Sequence, residues 1–157
     1  MMQRFLVLFA REPRREAQEK GFLRREAAGF FARLAEDWLE TARSVGARLV
    51  IASPLEDRLA WQKCLGHAGS YLWGGRRGAS SGDRLENSAR AAAALGGHSV
   101  IVGGDVVSSA RALEDAFTAL EWGGDAVLAP APDGGVSLLA LGSADLDLLG
   151  ERLGSIV

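Results

Sequence analysis

The chain holds a single cysteine, Cys64. One thiol forms no intrachain disulfide and no thiolate cluster for zinc, so a reducing cytoplasm is the expected compartment. An excess of one charge sign is also missing, because 18 basic residues face 20 acidic ones for a formal net charge of -2. That balance offers no large field to draw in nucleic acid or an anionic membrane, and neither is expected as a partner. No apolar run approaches bilayer-spanning length. The opening MMQRFLVLFAREPRRE has too short an apolar centre for a signal peptide and no small-residue cleavage site. Absent motifs exclude further chemistry. The segment after the first apolar run has no glycine before Gly21, so the dinucleotide fingerprint is not there, and no Gly-Lys-Ser/Thr forms a phosphate-binding P-loop. Ser80 and Ser81 lack the G-x-S-x-G elbow of a serine nucleophile. His67 and His98 have no acidic or cysteine neighbours at ligand spacing and receive no role.

What is present is a core. At 157 residues with 48% hydrophobic content, one domain spanning residues 1–157 is expected. Phe5 to Phe9 reads as a first, central strand buried on both faces, and RLVIASP and HSVIVGGD as two more. Between them, Phe22 to Val45 carries apolar residues at Ala27, Phe30, Phe31, Leu34, Trp38, Ala42 and Val45, one face of a long helix stopped by Gly46. LEDRLAWQKCLG predicts a short helix with Leu55, Leu59 and Cys64 inward, and SYLWGG a short strand. Asp83 and Glu86 predict the start of a helix that Gly96 and Gly97 close, and Ser108 or Ser109 caps another that runs to Gly123. Two strands around a Pro-Asp-Gly-Gly turn and a last helix from Ser143 complete the chain. Alternating strands and helices imply an α/β three-layer sandwich with a mainly parallel sheet, made mixed by the final hairpin.

In an open sheet of this kind ligands sit outside the carboxyl ends of the strands. Gly103 and Gly104 would let backbone approach a phosphate or sugar and leave Asp105 at the rim. Asp105 and Asp133, from separate strand ends, have the right chemistry for Mg²⁺ or Mn²⁺, which takes few protein oxygens and completes its shell from phosphates and water. Asp and Gly are also the commonest turn formers, and a DGG turn needs no function. Arg11, Arg14, Arg15 and Lys20 suit phosphates, yet Glu12, Glu16 and Glu19 are interleaved with them, which favours a solvated loop. Arg76, Arg77 and Arg84 flank a Gly/Ser-rich loop; Arg84, in the first turn of a helix, is the best placed for an anion. Trp38, Trp61, Trp73 and Trp122 are expected in the core.

Four segments, in order, are similar to those of one bacterial family. FAREP matches the first half of a pattern F-A-[KR]-x-P-x-x-G-x-x-K-T-R-L, with Glu16 in the place of the glycine and EKGF in the place of K-T-R-L. SGDRL is similar to L-G-[ED]-R-[LM], VGGDVVSS to I-G-[ST]-D-C-P-x-L without its Cys-Pro pair, and PAPDGGVSLLAL to P-x-x-D-G-G-Y-x-L-x-G-L with Val136 for the tyrosine. The chain thus resembles the transferase-like proteins of domain of unknown function 2064, the radical-SAM/selenodomain-associated transferase 1 group. These look like nucleotide-diphospho-sugar transferases of the GT-A fold and are similar, more distantly, to guanylyltransferases that activate phospholactate.

The resemblance implies a metal-dependent nucleotidyl- or glycosyltransferase that takes a small nucleotide or nucleotide-sugar donor. Asp105 and Asp133 would hold the metal and do the catalytic work, Gly103, Gly104 and Gly134 would admit the donor, and Arg84 and Arg11 would face its charge. The depleted basic loop implies the alternative, a degenerate member that keeps the fold as a binding or assembly module, with homo-oligomerisation left open.

Overall fold

The computed structural model describes residues 2–66, 70–123, 126–130 and 136–142. Its frame is a six-stranded sheet of β1 (Gln3–Phe9), β2 (Ala47–Ala52), β3 (Leu72–Trp73), β4 (Gly97–Gly103), β5 (Ala126–Pro130) and β6 (Val136–Leu141), in the order β3-β2-β1-β4-β6-β5. The first four strands are mutually parallel where they pair, and β6 runs antiparallel to both β4 and β5. Alternation along each strand divides its apolar residues between two faces. Leu6, Leu8, Leu49, Ile51, Val100 and Val102 pack on one side, against α2 (Glu26–Ser44), α3 (Arg58–Leu65) and α5 (Ala110–Glu121). Phe5, Val7, Val50, Ala52 and Ile101 face the other way, under α4 (Ser81–Ala94), which contributes Leu85, Ala89 and Ala92. The expected three layers are therefore present. They are unequal, because α4 covers its face with small side chains.

The long helix α2 buries Phe31, Leu34, Ala35, Trp38 and Ala42, the stripe that its sequence spacing predicts, and Gly46 at φ +69° turns the chain into β2. Its first turn begins at Glu26, after Phe22 to Arg25. Trp38 does more than fill the core. Its indole N–H donates to the carbonyl of Val106 at 2.8 Å, tying α2 to the loop that leaves β4.

Four expectations are corrected. The charged stretch after β1 is not a loop: Pro13–Glu19 forms a helix, α1, because Pro13 suits a first turn and the Glu12 carboxylate accepts from the amides of Arg14 and Arg15. Leu55 and Leu59 point outward, 73% and 71% exposed, while Trp61 and Leu65 turn inward. A turn of 3-10 helix at Leu55–Asp57 precedes α3 and shifts the buried face away from the spacing read in sequence. The cap of α4 is Ser80, whose hydroxyl accepts from the Asp83 amide at 3.1 Å, three residues ahead of the predicted box. Trp122 is 88% exposed just past the end of α5. Since its ring leaves little surface buried, Trp122→Ser should move the urea midpoint by no more than about 0.5 kcal/mol of stability. A shift several times larger would mean that this ring is covered in solution. The last predicted helix, His67, Asp133 and Gly134 lie outside the described residues.

Candidate functional site

β1 lies between β2 and β4, and the connection that leaves β1 leads to β2 on one side while the connection that leaves β4 leads to β5 on the other. In open sheets of this kind ligands sit at the carboxyl ends of the strands where the order reverses, which here are β1 and β4. Phe9 and Gly103 are in register there, so the residues that follow each strand meet: Ala10 and Arg11 from one side, Gly104 and Asp105 from the other. Gly104 is fixed by contact. A Cβ on it would lie 2.8 Å from the Cβ of Ala10 and 3.1 Å from the Glu16 carboxyl group, so a side chain here would push the rim apart.

Asp105 stands on this rim with its side chain 49% exposed, and the ammonium of Lys20, just past α1, lies 3.3 Å from its carboxylate. The single lysine of the EKGF segment thus reaches the acidic residue that the sequence singles out. Glu16 lies beneath. It is buried, and its carboxylate accepts the backbone N–H of Arg11 at 2.8 Å. Burial pushes its pKa up, the Arg11 amide pulls it part of the way back, and the negative charge of Asp105 adds to the rise.

Arg11 does not face an open cleft. Its guanidinium donates to both oxygens of Asp57, at 2.8 and 3.1 Å, and lies 3.2 Å from Glu19 and 3.3 Å from Glu56. Asp57 is buried and also accepts from the Glu12 amide at 3.0 Å and the Ser53 hydroxyl at 3.3 Å. Burial works against the charge of Asp57, but bonds from Arg11, the Glu12 amide and Ser53 outweigh it and hold the carboxyl below its ordinary range. This network pins the segment after β1 to the segment after β2. Neither Asp57 nor Glu16 carries a sequence signal of burial, since both sit in runs of charge; the one hint is that Glu16 stands where the resemblance expects glycine.

Positive charge without a partner sits elsewhere on the rim. The Arg76 guanidinium lies over the Phe9 ring, 4.2 Å from its centroid. Its Nε is buried and has no acceptor among the described residues, and burial together with the repulsion of Arg84 pulls its pKa down. Arg84 donates its Nε–H to the Gly78 carbonyl at 3.1 Å, and neither arginine forms an ion pair among the described residues. Gly78, at φ +137°, is held so close to α4 that a Cβ would lie 2.8 Å from the Arg84 nitrogen. Of the residues expected in the site, the fold therefore gathers Gly103, Gly104 and Asp105 at one strand-end rim with Arg11 behind it. Arg84 stands with Arg76 on the loop side. Among the described residues, no three His, Cys, Asp or Glu side chains converge as metal ligands. Asp105 alone suits an ion that arrives already bound to phosphates, which needs only one or two protein carboxylates.

Removing the buried charge gives a direct check. A carboxyl group with a raised folded pKa lowers stability most above that pKa, and the loss fades as pH falls toward the unfolded value. Glu16→Gln should therefore be at least as stable as the parent at pH 7, with the difference shrinking toward pH 4, as followed by thermal melting against pH. A loss of stability at pH 7 that fades toward pH 4 would show that the ionised form is held by more than the Arg11 amide.

The family described as "Uncharacterized protein conserved in bacteria (DUF2064)" matches residues 38–153. Among solved structures, a candidate nucleotide-diphospho-sugar transferase from Desulfovibrio desulfuricans G20 superposes with a TM-score of 0.76 at 20% identity, over 91% of this chain and 64% of that one. The present chain thus spans just under two thirds of that protein's length. The 4-diphosphocytidyl-2C-methyl-D-erythritol synthase of Anaerococcus prevotii DSM 20548 superposes with a TM-score of 0.60 at 11% identity, over 97% of this chain and 77% of that one. No curated protein matches the sequence. At these identities the two structures establish a shared fold. No described helix is long and apolar enough to cross a membrane.

Proposed function

The chain belongs to the DUF2064 family, and from that premise we infer that it binds a nucleotide or nucleotide sugar at the β1–β4 rim, with its phosphates toward Arg76 and Arg84. The observation that carries this reading is Arg76: a half-buried guanidinium that lies beside a second arginine and, among the described residues, has no acceptor for its Nε and no carboxylate paired to it. A buried cation in that condition is costly unless an anion completes it. A phosphate between Arg76 and Arg84 would supply several charge-assisted hydrogen bonds. The fold shared with two proteins named for nucleotide-linked chemistry makes a nucleotide the natural carrier of that phosphate.

Binding is better supported than transfer. Arg11 is committed to Asp57, Glu16 puts a carboxylate behind the rim, and Lys20 sits on Asp105. The compensation that Arg11 and Lys20 could offer a departing phosphate is thereby taken up within the protein, and such compensation is usually the largest part of phosphoryl-transfer catalysis. A non-catalytic binding module is the conclusion these contacts favour. One observation favours a second reading, a metal-dependent transferase: the Lys20–Asp105 pair is half exposed on both sides, and a pair of that kind is weak. Asp105, with Asp133 as the second carboxylate, would then hold Mg²⁺ or Mn²⁺, whose Lewis acidity would stabilise the leaving phosphate. In that arrangement Lys20 would turn from Asp105 to the donor's phosphates, and Gly103 and Gly104 would leave room for the sugar.

A panel of nucleotides and nucleotide sugars, with and without Mn²⁺, tests both readings by thermal melting and by release of the donor's nucleotide. A ligand at a hundred times its Kd should stabilise by about 2.7 kcal/mol. Stabilisation without turnover supports the module. Turnover that needs Mn²⁺ and disappears in Asp105→Ala supports the transferase. If no nucleotide shifts the melting temperature, the nucleotide-binding proposal fails.

A further inference from the structure

We propose that the α4 face of the sheet carries a second binding site, separate from the rim, for a small hydrophobic acid. Two adjoining hollows lie there. The inner one, about 230 Å³, is lined by apolar side chains that include Val7, Val50, Ala52, Leu72 and Ala92. The outer one, about 370 Å³, is bounded by Gly74, Gly75, Arg77, Asn87, Ser88 and Ala91. Gly74, Gly75, Ser88 and Ala91 line both, so the two form one cleft between the end of β3 and α4.

Ser88 marks the junction. It is 6% exposed, and its buried hydroxyl has no hydrogen-bond partner among the described residues. An orphaned hydroxyl costs stability where it stands, and a ligand that bonds to it removes the cost. The opening is built by small residues. α4 brings Ala91 and Ala92 over the sheet edge, and Gly74 could not bear a Cβ, which would lie 2.7 Å from the Val50 side chain. At the outer end Asn87 is held by the Arg77 carbonyl at 2.9 Å, and the Arg77 guanidinium forms no ion pair among the described residues.

The cleft therefore reads, from inside outward, as an apolar chamber, one hydroxyl and one cation that has no ion pair among the described residues. A branched or aromatic group would fill the chamber, a carboxylate oxygen would take the Ser88 hydroxyl proton in a hydrogen bond, and the remaining negative charge would face Arg77. No residue of the cleft belongs to the set Glu16, Lys20, Asp105, Arg76 and Arg84, so this site does not depend on the nucleotide reading.

Phenylacetate is a suitable probe, with 2-phenylethanol as its uncharged counterpart, followed by amide NMR of the whole chain. Saturable shifts centred on Gly74, Gly75, Ser88 and Ala91 are expected, with an affinity on the order of millimolar for so small a ligand. Ser88→Ala should weaken phenylacetate about tenfold, and Arg77→Ala should weaken it while leaving 2-phenylethanol unchanged. Ala92→Leu should fill the inner chamber and remove both. Ser88→Ala removes only an oxygen, so it remains a valid test if the leucine variant does not fold. Shifts that do not saturate, shifts centred elsewhere, or equal binding to the parent and Ser88→Ala would each overturn the proposal.

Discussion

Asp57→Ala should lower stability by about 3 kcal/mol and the melting temperature by roughly 6–12 °C, far more than any change of an exposed charge in this chain. The reason is the number of groups that the buried carboxylate completes. It accepts two bonds from Arg11, one from the Glu12 amide and one from Ser53, so its loss leaves a cation, an amide and a hydroxyl facing a void. Arg11 keeps Glu19 and Glu56 nearby, but both are more than half exposed and compensate weakly. The sign of the pH dependence follows from the lowered pKa. The carboxyl group stabilises the fold fully above its unfolded value, and that stabilisation is lost as pH falls through the folded value. Urea unfolding of the parent should therefore weaken toward acid pH in a way that Asp57→Ala does not share. A variant that melts within two degrees of the parent would mean that the network is replaceable by water.

Arg76→Met should abolish the stabilisation by nucleotide while leaving the unliganded protein no less stable than the parent. Methionine keeps an apolar stem over the Phe9 ring and removes a charge that burial and Arg84 both disfavour. What disappears is a charge-assisted contact to phosphate, worth about 1.5–3 kcal/mol, or roughly 10- to 100-fold in Kd. Titration of the best nucleotide by calorimetry, on parent and variant, reads that ratio directly. Equal affinity would remove Arg76 from the site, and loss of folding in the variant would show that its cation is structural.

The layers of this fold can be read from residues because they rest on local patterns. Phe5 to Phe9 and Val100 to Val102 are apolar without interruption, and only a strand covered on both sides accommodates that. The stripe from Phe31 to Ala42 repeats at helical spacing and finds its sheet as expected. Where the periodic signal is thin, the reading fails for physical reasons. One tight turn at Leu55–Asp57 rotates α3 enough to expose Leu59 and bury Trp61. In α1 a proline and a capping glutamate make a helix from a stretch whose composition suggests solvent.

The sequence by itself determined the sandwich, the central place of the first strand and the presence of Gly103, Gly104 and Asp105 at a strand's end, because strand and helix periodicity and crossover handedness act over short spans of chain. Only the tertiary structure decided which charges are free. Lys20 lies against Asp105, Arg11 against Asp57, and Arg76 against an aromatic ring with no ion pair among the described residues. Those pairings join residues as far as 85 or 67 positions apart, through contacts of a few ångströms that no local pattern encodes. A charge in a sequence is only an inventory of sign; its chemistry depends on what the fold sets beside it and on how much water remains.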